Sequence, residues 1–437
     1  MKRKRTSFHK SPFFVTKIKK KKSVLKSESE FYLPEDCWEH IFKFLINHKG
    51  HFNSLSLVSK HFLSITNRLT FSISTRNPPP SFLTRFFHRF SNLNSLCLSF
   101  RSRALDDGIA SALRDRPTLK SLSISGIDLN DTSYLTSHYI DSFVSLKGLN
   151  SLNFCHLQIS NELLYSIARE GLPLKSFILK KCSGYNYDGI YFLLSKCNGI
   201  QHLGFGANFL QDRHIAQLSL FLGGLVSIKL WDGRKLTNST LFAIIRKCPL
   251  LKEIAMERII TESVESYDSL KDFDVNPQLK VLSLASNLVI ENESILLLAS
   301  IFPNLEHLDL CGCYSISIEG ICQVLTRCSK IRHLNISRCD KIRGFKLNFI
   351  VSQLEVLDLS NTRIDDRTLY YISKSCCGLL KLSILFCLYV TEKGVMQVVE
   401  NCTQLKQIHI RDKVIVDVVD SIILSRPSLK KRNLLIY

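Results

Sequence analysis

No run in this 437-residue sequence is long and apolar enough to cross a bilayer as a helix: Ile295 to Phe302, the longest nearly apolar stretch, is about half the roughly 18 residues a span needs. The first thirty residues lack the apolar core of a secretory signal, because Pro12 to Val15 is too short and a lysine run follows, which argues against secretion. Proline is scarce at 11 residues while 45% of the chain is hydrophobic, a composition that excludes collagen-like and low-complexity classes and fits an ordered soluble protein. The 15 cysteines fall well short of the roughly 8–10% of a disulfide scaffold and are expected to be reduced. None forms the paired C-x2-4-C turns of a zinc site; the nearest approaches are Cys311-Gly-Cys313 and Cys376-Cys377. Also missing are a phosphate-binding glycine loop, a G-x-S-x-G elbow and an H-E-x-x-H helix, so no catalysis, metal or cofactor is expected.

The charge is uneven. Against 38 acids stand 58 Lys+Arg, net +20, yet residues 1–30 alone hold eleven basic side chains and two acids. Nearly half the excess therefore sits in a tail too polar to order itself, and the folded part is only mildly basic, which disfavours nucleic acid as a partner. Two clusters in that tail, Lys2, Arg3, Lys4 and Arg5, then Lys17, Lys19, Lys20, Lys21 and Lys22, have the spacing of a bipartite nuclear-import signal. The expected location is nucleus and cytoplasm.

What the sequence has in abundance is self-similarity. The pattern apolar-x-x-apolar-x-apolar recurs thirteen times, from Leu93 (LNSLCL) to Leu405 (LKQIHI), with a mean period of 26 residues. Each unit reads as a short strand, a turn and a helix, such as the one carrying Leu163, Leu164, Ile167 and Ala168. A single unit buries too few apolar groups to offset its chain entropy, whereas a stack shares one core. Cysteines fall into two columns of this register. Cys197, Cys248, Cys328, Cys376 and Cys402 lie three residues before a strand, and Cys182, Cys313, Cys339 and Cys387 three residues after one. They read as small buried hydrophobes at fixed turns.

Units such as CSKIRHLNISRCDKI resemble the cysteine-containing leucine-rich repeat. The segment YLPEDCWEHIFKFL followed by LSLVSKHFLSITNRL is similar to an F-box in the form found in plant F-box proteins with leucine-rich repeats. The resemblance implies an α/β fold: an N-terminal helical F-box, then a right-handed leucine-rich-repeat solenoid with a concave parallel sheet and convex helices. The expected organisation is a disordered basic tail at 1–30, the F-box at 31–75, a linker and first cap at 76–92, and about thirteen repeats with a C-terminal cap at 93–437. In that family the F-box docks on a Skp-type adaptor, and through it a cullin of a ubiquitin ligase, while the repeats hold the protein substrate. Leu33, Pro34, Ile41, Phe42, Leu45, Leu55, Leu57 and Val58 would be the adaptor-facing or adaptor-supporting residues. Ser59 departs from the motif, which commonly has cysteine there. Some members hold a small hormone under long loops, but the longest repeats here exceed the mean by only four and two residues, which disfavours such a site.

Residues alternating with the inward leucines define the outer sheet face. Its early part is rich in serine; Lys229, Trp231, His307, Asp309, His333, Asn335, Asp358, His409 and Arg411 supply the types that anchor interfaces, so the unidentified protein substrate is expected there. The histidines predict binding that changes between about pH 6 and 7.5. The reading is a non-catalytic substrate receptor with no membrane partner. The alternative is a nuclear leucine-rich-repeat scaffold whose basic tail contacts nucleic acid and whose first helices only cap the stack.

Overall fold

The computed structural model describes residues 33–45, 49–100, 107–116, 118–126, 137–259, 275–344, 349–410 and 434–436. The chain divides into two compact units, one closing at Leu69 and the other opening at Thr70.

Three helices build the first unit: α1 (Glu35–Leu45), α2 (Lys49–Ser56) and α3 (Lys60–Arg68). The Pro34 carbonyl accepts the amides of Cys37 and Trp38 at 3.0 and 3.3 Å, and Glu35 and Asp36 put negative charge where the dipole of α1 favours it. The apolar positions Leu55, Val58, Phe62 and Ile65 do not share one helix. Chain direction changes between them because Ser59 caps α3, its hydroxyl accepting from the Phe62 amide at 3.1 Å, and Leu57 and Val58 are left in the turn. Phe42, Ile65 and Leu69 form the buried centre, surrounded by Trp38, Phe52, Leu55 and Phe62. The rings meet at an angle, with Trp38–Phe62 and Phe42–Phe62 centroids 4.8 and 4.9 Å apart. Arg68 ties α3 to α1 through Glu39, at 2.8 Å, and through Glu35.

The second unit is a 15-stranded sheet in which each strand pairs in parallel with the next in sequence. Strands occupy all thirteen sites of the repeat pattern, from Ser95–Ser99 to Gln407–Ile410, and one more lies at each end. At the N-terminal end, β1 (Ser72–Arg76) pairs with Ser95–Ser99, and α4 (Pro80–Arg89) follows it. Four of the strand's five residues fall within the stretch expected as F-box, 31–75, because the first compact unit closes earlier, at Leu69; the helix falls within the stretch expected as linker and first cap. The pattern missed β1 because Thr70, Ile73 and Thr75 stand at its three apolar positions, and only one of them is apolar. At the other end, Leu434–Ile436 pairs with the last repeat strand.

Inward side chains such as Leu122, Leu152, Leu334 and Leu357 are fully buried in one continuous core between sheet and helices. Two side-chain devices join successive repeats. The thiols of Cys313, Cys339 and Cys387 donate to the carbonyls of Leu284, Leu310 and Leu359 one repeat earlier, at 3.1, 3.2 and 3.1 Å. In the other column, Cys248, Cys328 and Cys402 end helices as buried C-caps. Burial pushes the Cys339 thiol up to about 12 and that of Cys328 to about 11, so these groups stay protonated, structural thiols. The second device lies at helix starts. Asn292 Oδ1 accepts the Ser317 amide at 3.0 Å, and Asp366 accepts that of Thr391 at 2.7 Å. Each needs glycine three residues further on: a Cβ on Gly320 or Gly394 would lie 2.2 or 2.3 Å from that same Oδ1.

Candidate functional site

Two surfaces carry the residues singled out in the sequence. On the helical unit, Leu33, Pro34, Ile41, Leu57 and Val58 are exposed, the last two at 86% and 65%. Phe42 and Leu55 point inward and build the small core, so they support this surface and do not face outward; Leu45 is half-buried. Phe44 joins the exposed set at 81% and was missed, because it lies off the stripe formed by Trp38, Ile41, Phe42 and Leu45. A spacing of three from Ile41 is the signal that would have found it. Five large apolar side chains left in water by so small a unit are unusual unless they meet a partner. The hydrogen bond from Arg68, together with its charge, holds the Glu35 carboxyl below the usual range.

The other surface is the open face of the sheet. Register sets its rows: Val281, His307, His333, Val356 and Lys381 in one, and Ser283, Asp309, Asn335, Asp358, Ser383 and His409 in the next. Six of the expected substrate residues therefore do meet in one patch. Lys229 and Trp231 share a strand, Ser227–Trp231, separated from His307–Asp309 by two others, and Arg411 lies outside the described residues. All the described ones are half-buried.

Several of these groups already have internal work. Asp309, Asn335 and Asp358 each accept, through Oδ1, the amide two residues ahead, at 3.0, 3.1 and 2.9 Å, the bond of an Asx turn that bends the chain out of its strand. Lys229 pairs with Glu253 at 2.7 Å. Burial works to raise the Glu253 carboxyl, but the bonds from Lys229 and Ser227 outweigh it and hold it low. Trp231 lies over Gly204: a Cβ there would stand 3.0 Å from its ring. The His307 and His333 rings sit 4.0 Å apart, and buried nitrogens of His307 (Nδ1) and His409 (Nε2) lack a hydrogen-bond partner among the described residues. Burial, and then the neighbouring His307, lower the pKa of His333; burial and Lys381 lower that of His409. Both lose their charge at lower pH than an ordinary imidazole, which moves the expected pH window downward. Among the described residues no group of three or more His, Cys, Asp or Glu is placed to hold a metal ion.

A third feature was not foreseen. Where the strands Ser176–Lys180, His202–Gly206, Ser227–Trp231 and Glu253–Met256 end, Lys180, Lys181, Trp231, Glu257 and Arg258 line an open groove of about 550 Å³. The repeat pattern ends at Leu179, Leu230 and Met256, and these residues lie one or two steps beyond it; of them only Trp231 was among the expected site residues.

A sheet built from one parallel strand per repeat, backed by helices, defines a leucine-rich-repeat protein, here with a separate helical unit before it. No family model matches the sequence. A Transport inhibitor response 1-like protein of Oryza sativa subsp. japonica is 22% identical over 397 residues, 86% of this chain, and the chain spans 64% of that relative's length. Among solved structures, a chain of the yeast Rad7 and Elc1 complex is similar with a TM-score of 0.53 at 16% identity, covering 82% of this chain and 90% of that one, a likeness of fold. The relative and the fold together support a leucine-rich-repeat F-box kinship.

Proposed function

We propose that this protein is the non-catalytic substrate-recognition subunit of an SCF-type cullin ubiquitin ligase of the plant type. Its helical unit docks on a Skp-type adaptor and its repeats bind the protein sent for proteasomal degradation. The observation that carries this reading is the exposed apolar set Leu33, Ile41, Phe44, Leu57 and Val58 on a unit whose own core is already closed. The rice relative supports it by its name, and the yeast protein of similar fold was solved as a complex of Rad7 and Elc1. The test is a pull-down offering both a Skp-type and an Elc1-type adaptor. The double variant Ile41→Glu/Leu57→Glu removes only exposed side chains, so it should keep its circular dichroism spectrum and lose adaptor capture. Undiminished capture would overturn the docking surface. The nuclear and cytoplasmic location belongs to the same reading, through the basic clusters between Lys2 and Lys22, which lie outside the described residues. A fluorescent fusion lacking residues 1–26 should lose nuclear enrichment.

A further inference from the structure

The groove at the strand ends has an uneven charge that its own contacts leave uncompensated. Of its charged groups, Asp232 and Arg258 pair with one another at 3.3 Å, and Asp232 also holds Arg234 at 2.8 Å. Lys180 and Lys181 are exposed and make no ion pair among the described residues. Glu257 is half-buried and likewise has no ion-pair or side-chain hydrogen-bond partner there. Burial first, and then Asp309, push its carboxyl pKa up, against the pull of Lys180, Arg258 and Lys181; even with Glu257 charged, Lys180, Lys181 and Arg258 outnumber Asp232 and Glu257. The balance inside the groove is positive.

The walls are also firm. Lys181, Asp232 and Arg258 occupy the same left-handed turn in three of the four repeats that line the groove, at φ 52°, 58° and 57°. The ladder continues through this turn, with the His156 amide bonded to Lys180 O and the Gly233 amide to Glu257 O, both at 3.0 Å. Gly206 leaves the floor low, its amide donating to the Tyr185 hydroxyl at 2.8 Å. Beside it Trp231 offers an aromatic surface.

We infer that this groove binds an anionic side chain of an extended peptide, acidic or phosphorylated, with Lys180 and Lys181 meeting the charge and the neighbouring residue of the peptide packing on Trp231. A cationic peptide is the poorer fit, because both unpaired lysines would repel it. The inference deepens the substrate-receptor reading by giving the substrate a chemistry, and it rests on that reading for who brings the peptide. The peptide adds a partner to the two lysines without displacing any existing ion pair.

The full chain carries two tryptophans, so a Trp38→Phe variant makes Trp231 its sole tryptophan reporter. The probes are four Gly/Ser-flanked peptides with the centre Glu-Leu-Glu, phosphoserine-Leu-phosphoserine, Gln-Leu-Gln or Lys-Leu-Lys. The glutamate or phosphoserine peptide should change Trp231 emission saturably, and added salt should weaken it. Lys180→Glu/Lys181→Glu should weaken that binding by about tenfold or more, and the response of the two anionic peptides tells carboxylate from phosphoryl preference. A saturable response to the lysine peptide alone, no response to any of the four, or unchanged affinity in the double variant overturns the inference. Adaptor capture is measured on the parent chain, which keeps Trp38. If it fails while peptide binding stands, the receptor reading falls and the groove remains; the reverse removes only the groove.

Discussion

Seven strands, from β1 (Ser72–Arg76) through Ser227–Trp231, run five residues each, whereas the five from Val281–Ser283 to Lys381–Ser383 stop at three. Both halves bury the same inward row. What differs is the third, outward position. In the early half it holds Cys97, Ser123 and Asn153, which make no turn with the backbone ahead. In three of the five late strands it holds Asp309, Asn335 and Asp358, whose side chains capture the amide two residues on and fold the chain away early, while Ser283 and Ser383 stand there in the other two. Residues that a repeat pattern offers as binding groups are here first of all turn formers. The extended early strands, in turn, reach far enough to set Lys180 and Trp231 at the groove.

The comparison can be broken most forcefully in the shared core. Leu122→Ala and Leu334→Ala remove equally buried side chains of the same inward row, and each should cost about 2–5 kcal/mol in urea unfolding. A large inequality between them would mean that the halves differ in packing and not only in their turns. Next in size is the turn itself. Asn335→Ala should lose about 0.5–1.5 kcal/mol, because Oδ1 accepts both the Ser337 amide and its hydroxyl, while Asn335→Asp keeps the acceptor and most of the stability. Its early counterpart, Ser123→Ala, should stay within about 0.5 kcal/mol of the parent chain. Equal losses at the two positions would remove the account of the short strands.

The smallest effect is a difference of sign with pH. Burial raises the Asp309 carboxyl, against the bonds from Cys311 and Ser283, so its ionisation opposes folding. The stability linked to it is present below the ordinary carboxylate value and is lost as pH rises through the raised one. Glu35 in the helical unit is the reverse: bonded to Arg68 and lowered, it contributes above the ordinary value and loses that contribution as pH falls through the lowered one. Comparing unfolding midpoints between about pH 3.5 and about pH 6 should therefore show Asp309→Asn gaining relative to the parent as pH rises. Glu35→Gln should lose ground over the same interval. The same direction for both variants would contradict the assignment.

The sequence by itself determined the repeat. An apolar residue, most often leucine, in each inward position every 26 residues on average has no use except in a stack, and the cysteine columns mark the turns of that stack. It also placed the helical segment by amphipathic spacing, which survives without knowledge of neighbours, and the resemblance to an F-box pointed to most of its exposed apolar residues. Tertiary structure decided the rest. Only the cap at Ser59 leaves Leu57 and Val58 in a turn while Leu55 goes inward. Only the pairing register sets His307 against His333, and only the weak apolar signal of Thr70, Ile73 and Thr75 hid a strand that neighbour pairing completes. The groove likewise joins residues from separate repeats, each ordinary in its own unit. A periodic sequence specifies what every repeat does for the core; which outward side chains are left without a partner depends on distances between repeats, and those exist only once the stack has formed.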